Sequence, residues 1–307
     1  MKKATLKDIA RAAEVSVATV SYVINNVPNQ TIPEETRCRV LEAAKQLSYV
    51  PNLAARSLVK QKSGLIGILI NRSENEGFWR SFTYTHFVER LERLLTERGY
   101  HVVLATLDAS NPKLDIISER KLDGVFVVDV KKEYFHLISS HFSVGVPLIV
   151  VDSIIEDPLF YKVNYDYEDA ISRASEISSL HQSYIIADRP NNNEFADAIR
   201  SLPGVDDRMI HFMESEVKLK QFLEQQGEKH GIVLNEFTSI LAARYVEPAK
   251  LTVICTAGCP EISPAASHRL QFGDRKPEAA YQLMLQLLDD PNNGPKHKYR
   301  NVKAIND

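Results

Sequence analysis

The chain has 307 residues, of which 44% are hydrophobic and 25% are charged. This composition is typical of a globular protein with room for two or three domains. The longest apolar run, 65–70, is too short to cross a bilayer, and no apolar segment of a secretory signal follows Met1. We therefore expect a cytoplasmic protein without a membrane span.

Charge is distributed unevenly along the chain. The formal net charge is −3, yet residues 1–62 hold ten Lys and Arg against five Asp and Glu, so the remainder is acidic. A basic N-terminal unit on an acidic body fits a protein that presents one end to phosphates. Solvated surface charge alone gives the same imbalance, so this observation only supports a nucleic-acid partner.

The three cysteines, Cys38, Cys255 and Cys259, are odd in number and predict no disulfide framework. Cys255 and Cys259 are spaced closely enough to share a metal ion, but no His or second pair stands at ligand spacing. We expect ordinary thiols, no metal site and no cofactor.

The first 25 residues predict two short helices joined by a tight connection. Leu6, Ile9, Ala10 and Ala13 recur at i, i+3, i+4 and i+7, and Thr5 with Asp8 forms a capping-box-like start. Ser16 caps the second helix, which turns Val20, Val23 and Ile24 toward the first. The opposite face carries Val17, Ala18, Ser21, Tyr22 and Asn25.

Two short helices across such a turn predict a helix-turn-helix, although a small helical bundle that binds protein has the same pattern. A third helix is predicted after Pro33, whose ring suits a first helical turn. We expect its core face to consist of Val40, Leu41, Ala44 and Leu47.

The runs TLKDIARAAEVSVATVSYVIN (5–25) and IPEETRCRVLEAAKQLSYVPNLAARSL (32–58) closely resemble the DNA-binding headpiece of the LacI/GalR (lactose-repressor/galactose-repressor) family. A weaker resemblance continues to the C-terminus. It implies a transcriptional regulator, expected to be a repressor, that binds a palindromic operator as a homodimer. It also implies that a small molecule bound between two lobes modulates DNA affinity.

The residue types at the headpiece suggest how DNA is contacted. Short hydroxyl and amide side chains beside helix starts suit phosphate oxygens, although Thr5 and Ser16 also serve as caps; these residues are Thr5, Ser16, Thr19, Ser21 and Asn25. By resemblance, base readout falls to Val17, Ala18 and Tyr22, where Tyr22 replaces an Arg that is common in the family. The resemblance also makes Leu58 a minor-groove wedge on a hinge helix, with Ala54 and Ala55 small enough for close approach.

The body, from about residue 64, alternates strand-like and helix-like runs. Apolar runs at 65–70, 101–106, 124–130 and 147–152 predict strands covered on both faces, separated by helices near 82–98, 113–119 and 134–142. A second set has strands at 183–188, 209–213, 231–234 and 251–255, with helices near 167–180, 193–202, 216–226, 237–245 and 277–290. This order predicts two doubly wound parallel-sheet lobes.

The resemblance makes this body similar to periplasmic sugar-binding proteins, with residues 163–166 crossing between the lobes. The predicted architecture is an all-α headpiece (1–50), a hinge helix and linker (51–63), and a two-lobed α/β body for ligand sensing and dimerisation (64–307).

The family's effector residues are only partly matched. By resemblance, the candidate effector-binding residues are Asn75, Asp166, Asn191 and Glu236. Asn191 stands where the family often has an Arg, and Ala257-Gly258 stands where acidic residues are common. We therefore expect common neutral monosaccharides to bind no better than millimolar. A real effector, whether sugar phosphate or another molecule, should be larger, more apolar or anionic.

Two other functions remain open at this point. An enzyme built on the α/β body is disfavoured, because residues 71–74 form no glycine-rich phosphate loop and no G-x-S-x-G motif is present. The other alternative is a DNA-binding regulator whose body only dimerises or docks a protein. The imperfect effector residues are its only support.

Overall fold

The structure is a computed structural model that describes residues 4–25, 30–49, 62–73, 76, 79–143, 145–177, 183–202 and 206–305. Two compact units divide the chain, Met1–Ser63 and Gly64–Asp307. In the described part, no helix has the length and apolar character needed to span a membrane.

The first unit contains helices α1 (Leu6–Ala12), α2 (Val17–Ile24) and α3 (Glu34–Gln46). Their shared core consists of Ile9, Ala10, Ala13, Val20, Val23, Val40, Ala43 and Ala44. The predicted inner face of α3 is partly wrong, because Leu41 and Leu47 are exposed and Ala43 is buried instead. Val40, Ala43 and Ala44 keep the i, i+3, i+4 spacing of one helical stripe, and Leu41 lies about 100° away from Val40 around the helix.

A six-stranded parallel sheet forms the first lobe of the body. Its strands are β1 (Leu65–Arg72), β2 (His101–Asp108), β3 (Gly124–Val128), β4 (Leu148–Val151), β5 (Tyr161–Tyr165) and β11 (Tyr299–Val302), in the order β11-β5-β4-β3-β1-β2. The prediction that its strands are covered on both faces holds for β3 and β4 and is wrong for β2. Since β2 lies at the edge, Leu104 is 55% exposed.

A five-stranded parallel sheet forms the second lobe. Its strands are β6 (Ser183–Asp188), β7 (Ile210–Met213), β8 (His230–Leu234), β9 (Leu251–Cys255) and β10 (His268–Gln271), in the order β10-β9-β8-β6-β7. The sequence did not predict β5, β10 or β11. Polar or charged side chains interrupt each of these short strands, so none reads as an apolar run.

Helices connect the strands of both lobes. They are α4 (Arg80–Thr83), α5 (Thr85–Glu97), α6 (Asp115–Glu119), α7 (Lys132–Ser139), α8 (Tyr167–Ile177), α9 (Asn193–Arg200), α10 (Glu216–Glu224), α11 (Glu236–Ala242) and α12 (Arg275–Asp289). The helix predicted at 82–98 is divided at Tyr84 into α4 and α5. This division places α4 beside the space between the two lobes, which we call the interlobe cleft.

The chain passes between the lobes at three places that lie side by side, near Asp166, near Gln271 and near Ile305. Asp166, at the end of β5, donates its backbone N–H to Val302 O at 2.8 Å. Ile305 donates its backbone N–H to Gln271 O at 2.7 Å, and Arg173 bonds the carbonyl oxygens of Ala304 and Ile305. The expected crossing at 163–166 is therefore one of three connections that hold the lobes together.

Candidate nucleic-acid interface and interlobe cleft

Both helices of the helix-turn-helix begin with a side-chain cap. The Asp8 carboxylate accepts hydrogen bonds from the Thr5 backbone N–H at 2.9 Å and from the Thr5 hydroxyl at 2.7 Å. Ser16 Oγ accepts from the Thr19 backbone N–H at 3.0 Å. The predicted capping is confirmed, and Glu14 makes the turn between the helices in the left-handed region, at φ 51°.

The two faces of α2 differ in burial. Val20 and Val23 are 0% and 4% exposed against α1 and α3, whereas Val17 and Tyr22 are 42% and 38% exposed. Ala18 lies on the same outer face as Val17. A short helix thus presents apolar and aromatic side chains outward while a buried core holds its position. This is the arrangement that major-groove readout requires.

The polar candidates of α2 lie around this outer face. Ser16 is exposed, whereas Thr19 is partly buried and its hydroxyl contacts Ser16 Oγ at 2.9 Å. Asn25 Nδ2 donates to Ser21 O at 2.9 Å and lies 3.2 Å from Ser21 Oγ. These contacts fix the side chains, and the first N–H groups of α2 still lack partners within the helix. Such groups suit phosphate oxygens.

In the body, acidic residues gather where the parallel strands end. Asp129 follows β3, Asp152 follows β4 and Asp188 ends β6. Asp129, Asp152 and Asn235, the residue after β8, have φ values of 52°, 51° and 105°. Backbone in this region is strained for residues other than glycine, and such strain is concentrated at functional sites. Carboxyl ends of parallel strands are also where α/β proteins bind ligands.

Helix α4 carries basic and aromatic side chains from the first lobe into this acidic region. Arg80 bonds the Asp129 carboxylate and the Arg189 carbonyl, and its Nε lies 3.4 Å from Glu76. Trp79 Nε1 donates to Asp188 Oδ1 at 3.1 Å. Burial lowers the pKa of Arg80, but the negative charges of Asp129 and Asp188 outweigh it and raise that pKa above its ordinary value. Arg80 is therefore a permanent cation inside the cleft.

A second buried ion pair lies deeper, where α12 begins. Lys276 Nζ is 2.6 Å from Asp152 Oδ2 and 3.8 Å from the centre of the Tyr165 ring. Burial lowers the pKa of Lys276, and the charge of Asp152 opposes that shift. Burial likewise raises the pKa of Asp129 to about 6, although Arg80 and the Asn191 N–H act in the other direction. The protein's own charged groups therefore occupy much of the cleft.

The space left at the centre of the cleft is small. A cavity of about 60 Å³ is lined by Arg80, Thr83, Tyr84, Asp129, Asp152, Tyr165, Tyr167, Ala187, Asp188, Pro190, Phe195, Ile199, Leu234, Asn235, Thr256 and Lys276. A neighbouring cavity of about 420 Å³ shares four of these residues, Tyr165, Tyr167, Phe195 and Ile199. Within the described residues, no group of His, Cys, Asp and Glu is arranged to hold a metal ion.

Comparisons with known proteins agree with both parts. Residues 5–52 match the family described as bacterial regulatory proteins, lacI family. Residues 5–52 are therefore a LacI-family DNA-binding domain. The chain is 27% identical to the HTH-type transcriptional regulator MalR of Streptococcus pneumoniae over 241 residues, which cover 73% of this chain and 70% of that protein. It is therefore a DNA-binding transcriptional regulator.

Solved structures support the LacI-family fold of the whole chain. The lac repressor dimer bound to operator and the anti-inducer ONPF matches with a TM-score of 0.75 and 16% identity, covering 99% of this chain and 97% of that one. An ABC transporter solute-binding protein from Agrobacterium vitis, bound with α-D-tagatopyranose, matches with a TM-score of 0.52 and 13% identity, covering 79% of this chain and 94% of that one. The predicted headpiece and periplasmic-binding-protein-like body are confirmed.

The three described effector candidates, Asp166, Asn191 and Glu236, do not form one cluster. Asn191 is buried at the cleft, where its amide bonds Asn71 O at 3.0 Å and Asp129 Oδ2 at 3.0 Å and accepts from Ser73 Oγ at 2.6 Å. Asp166 caps α8 by accepting from the Asp169 N–H at 3.1 Å, and it lines the 420 Å³ cavity. Asn75 lies outside the described residues, as do Ala54, Ala55 and Leu58 of the headpiece.

Glu236 has a structural role in the body. It is 0% exposed, and its two carboxylate oxygens accept backbone N–H groups of Ala257 at 2.8 Å and Cys259 at 2.9 Å. It does not line the central cavity. The backbone on either side of Gly258 thus supplies the donors that hold Glu236. Its assignment to effector binding has no support in these contacts.

The charged residues of the cleft were missed in the sequence. A signal was present for the acids, because the runs GVFVVD (124–129), PLIVVD (147–152) and SYIIAD (183–188) all end in Asp. Parallel strands that end in the same residue type bring those side chains to one edge of each sheet. Arg80 and Lys276 have no such signal, since they lie 196 positions apart in the numbering and meet only through the fold.

Proposed function

We propose that this protein is a homodimeric repressor that binds a palindromic operator in the bacterial cytoplasm and releases or retains it according to a small molecule in the interlobe cleft. Residues 1–50 serve as the DNA-binding headpiece, 51–63 as hinge and linker, and 64–307 as the sensing and dimerisation body. The protein has no enzymatic role in this proposal. A dimer presents two recognition helices, so its operator is a palindrome.

The outer face of α2 carries the DNA part of the proposal. Val17 and Ala18 make apolar contacts, best with a thymine methyl, while the Tyr22 hydroxyl makes one hydrogen bond to a base edge. Thr5, Ser16, Thr19, Ser21 and Asn25 position the headpiece on phosphates. Ala54, Ala55 and Leu58, by family resemblance, contact the minor groove.

The effector part is supported by the strained, charged strand ends of the cleft. The ligands bound by the two solved structures belong to those proteins, and they motivate the search for one here. The central cavity of about 60 Å³ is far below the 300 Å³ or more of typical ligand pockets. The central cavity alone therefore does not hold a typical effector, whereas the neighbouring cavity of about 420 Å³ is within that range.

The same small cavity favours a second candidate function. In it, the hydrogen bonds that join the lobes, from Trp79 to Asp188 and from Arg80 to the Arg189 carbonyl, hold the cleft shut permanently, and the body only dimerises or docks a protein. A thermal-shift screen of sugars, amines and phosphates separates the two, because only a sensing body gains stability from a ligand.

Selection of DNA sites from a random pool by the purified protein tests the DNA part. We expect a palindrome whose half-site lacks the strong guanine preference that an Arg provides. Tyr22→Arg should restore that preference with about 1–3 kcal/mol of discrimination for a bidentate pair. Failure to enrich any palindrome, or a wild type that already selects the same guanine as strongly, contradicts the proposal.

A further inference from the structure

Two buried carboxylate oxygens of the cleft lack hydrogen-bond donors among the described residues. They are Asp152 Oδ1, at the end of β4 in the first lobe, and Asp188 Oδ2, at the end of β6 in the second. Both residues line the 60 Å³ cavity. A buried acceptor without a partner costs free energy, so this cavity is short of donors.

The other oxygens of these two carboxylates are occupied. Asp152 Oδ2 is 2.6 Å from Lys276 Nζ. Asp188 Oδ1 accepts from Trp79 Nε1 at 3.1 Å and from Thr238 Oγ1 at 2.9 Å. Each carboxylate is thus held by one oxygen, and its other oxygen has no donor among the described residues. Each lobe thus contributes one carboxylate oxygen without a donor to the walls of this cavity.

Charge around the cavity shows the same shortage. Three carboxylates (Asp129, Asp152 and Asp188) line it together with two basic groups, Arg80 and Lys276. Arg80 is bonded to Asp129 and Lys276 to Asp152, so Asp188 has no basic group hydrogen-bonded to it among the described residues. Burial raises the pKa of Asp188, and the charge of Arg80 together with the bonds from Thr238 and Trp79 opposes that shift. An anion placed here would meet unpaired carboxylate oxygens.

The walls suit an organic cation. Tyr84, Tyr165 and Tyr167 line the cavity, and aromatic faces attract ammonium groups. Lys276 Nζ already lies 3.8 Å from the Tyr165 ring centre while it bonds Asp152. The cleft therefore holds one ammonium group between a carboxylate and a tyrosine, and an ammonium carries three donors for the oxygens that lack them.

We propose that the effector carries a primary ammonium group, which binds between Asp152 and Asp188 against the tyrosine rings and so links the two lobes. This inference rests on the proposed function and, of the larger, more apolar or anionic effectors expected from the sequence, replaces the anionic one. The rest of the molecule extends past Tyr167 and Phe195 into the 420 Å³ cavity, whose other lining includes Tyr299 and Ile154. The effector is thus an amine with an apolar or aromatic portion.

Three molecules with one skeleton test this, namely benzylamine, benzyl alcohol and benzoate at pH 7.5. Ligand-observed NMR titration of the full-length protein should give a Kd for benzylamine at least tenfold below that for benzyl alcohol, with benzoate weakest. Benzylamine should also change operator affinity at least threefold. Equal binding of the amine and the alcohol, tightest binding of benzoate, or no binding of any of the three at 10 mM overturns the inference.

Variants locate the effect. Asp188→Asn keeps an oxygen for Trp79 and Thr238 but removes the charge, so the preference for benzylamine should fall below twofold. Asp197→Asn, on the exposed side of α9 where Asp197 pairs with Arg200, should leave it unchanged. Circular dichroism and operator binding without ligand report whether Asp188→Asn folds, and Asp152→Asn repeats the test from the first lobe. A preference that survives both substitutions overturns the inference.

Operator binding in the absence of any probe separates this inference from the function on which it rests. If the protein binds its selected palindrome but discriminates no amine, the ammonium site is wrong and the DNA-binding proposal stands. If no palindrome is bound by the folded protein, the proposed function itself fails.

Discussion

The headpiece and the interlobe cleft place their functional side chains in opposite environments. On α2, Val17 and Tyr22 are about 40% exposed, and the contacts that fix this helix are local caps and a small core. In the cleft, Arg80, Asp129, Asp152 and Lys276 are buried and bonded to residues far away in the chain. The functional side chains of the headpiece are exposed on its surface, whereas those of the cleft are paired with one another.

This difference has energetic consequences. Substitutions on the outer face of α2 should leave the fold intact, because much of the surface of these side chains is already exposed, and under the proposed function they remove contacts with DNA. Substitutions in the cleft leave charges without partners in a low-dielectric interior and therefore destabilise the body. Stability and function can be separated in the first region and are coupled in the second.

The largest effect is expected at the Lys276–Asp152 pair. Lys276→Met leaves the Asp152 carboxylate buried without its cation and should lower the free energy of unfolding of the body by about 3–5 kcal/mol. Urea unfolding followed by circular dichroism measures it. Lys276→Met with Asp152→Asn should recover part of the loss. Arg93→Ala, at an exposed pair with Glu89, is the control and should change less than about 1 kcal/mol. A loss no greater than that of the control would show that the Lys276–Asp152 pair contributes no more to stability than an exposed ion pair does.

Within α2, the same substitution at two positions one turn apart sharpens the contrast. Val20 is 0% exposed and Val17 is 42% exposed. Val20→Ala removes two buried carbons and should cost about 2 kcal/mol of headpiece stability. Val17→Ala should cost less than about 0.5 kcal/mol and yet weaken selective operator binding. Thermal unfolding and DNA titration of both variants give the comparison, which equal stability losses would contradict.

A smaller effect is expected at the cap of α2. Ser16→Ala removes the oxygen that accepts from the Thr19 N–H at 3.0 Å, so headpiece stability should fall by about 1 kcal/mol. Ser16→Asp retains an acceptor and should restore stability. It should also weaken DNA binding, because a negative charge then faces phosphate. Restored stability together with unchanged affinity would mean that this helix end does not face the DNA backbone.

The smallest effect concerns pH. Burial, followed by the neighbouring charge of His268, lowers the pKa of His230, whose Nε2 lies 2.9 Å from Thr252 Oγ1. Below pH 6.5 the unfolded chain binds a proton that folded His230 does not, so the free energy of unfolding should fall between pH 7 and pH 5. Burial raises the pKa of Asp129 to about 6, so near pH 5 folded Asp129 binds a proton that the unfolded chain does not. This raises the free energy of unfolding as the pH falls and opposes part of the effect of His230. His230→Gln should therefore reduce the loss measured for the wild type by urea titration at the two pH values.

The sequence by itself determined the parts of this protein that depend on local spacing. The caps at Thr5 and Ser16, the stripe from Leu6 to Ala13 and the alternation of strands with helices are all written within a few residues of one another. A short helix with one exposed face can be predicted from residues that are close together in the sequence. The family resemblance over residues 5–58 rests on the same local patterns.

Only the tertiary structure decided which side chains share the cleft. Arg80 meets Asp129, and Lys276 meets Asp152, across separations of 49 and 124 residues. The family motif directed attention to Asn191 and Glu236. The Asn191 amide is hydrogen-bonded to Asn71 and Asp129, and the Glu236 carboxylate accepts backbone N–H groups of Ala257 and Cys259. A motif gives a residue's position along the chain, whereas burial and the supply of hydrogen-bond donors depend on what the whole fold brings around it. The unpaired oxygens of Asp152 and Asp188 are visible only at that level.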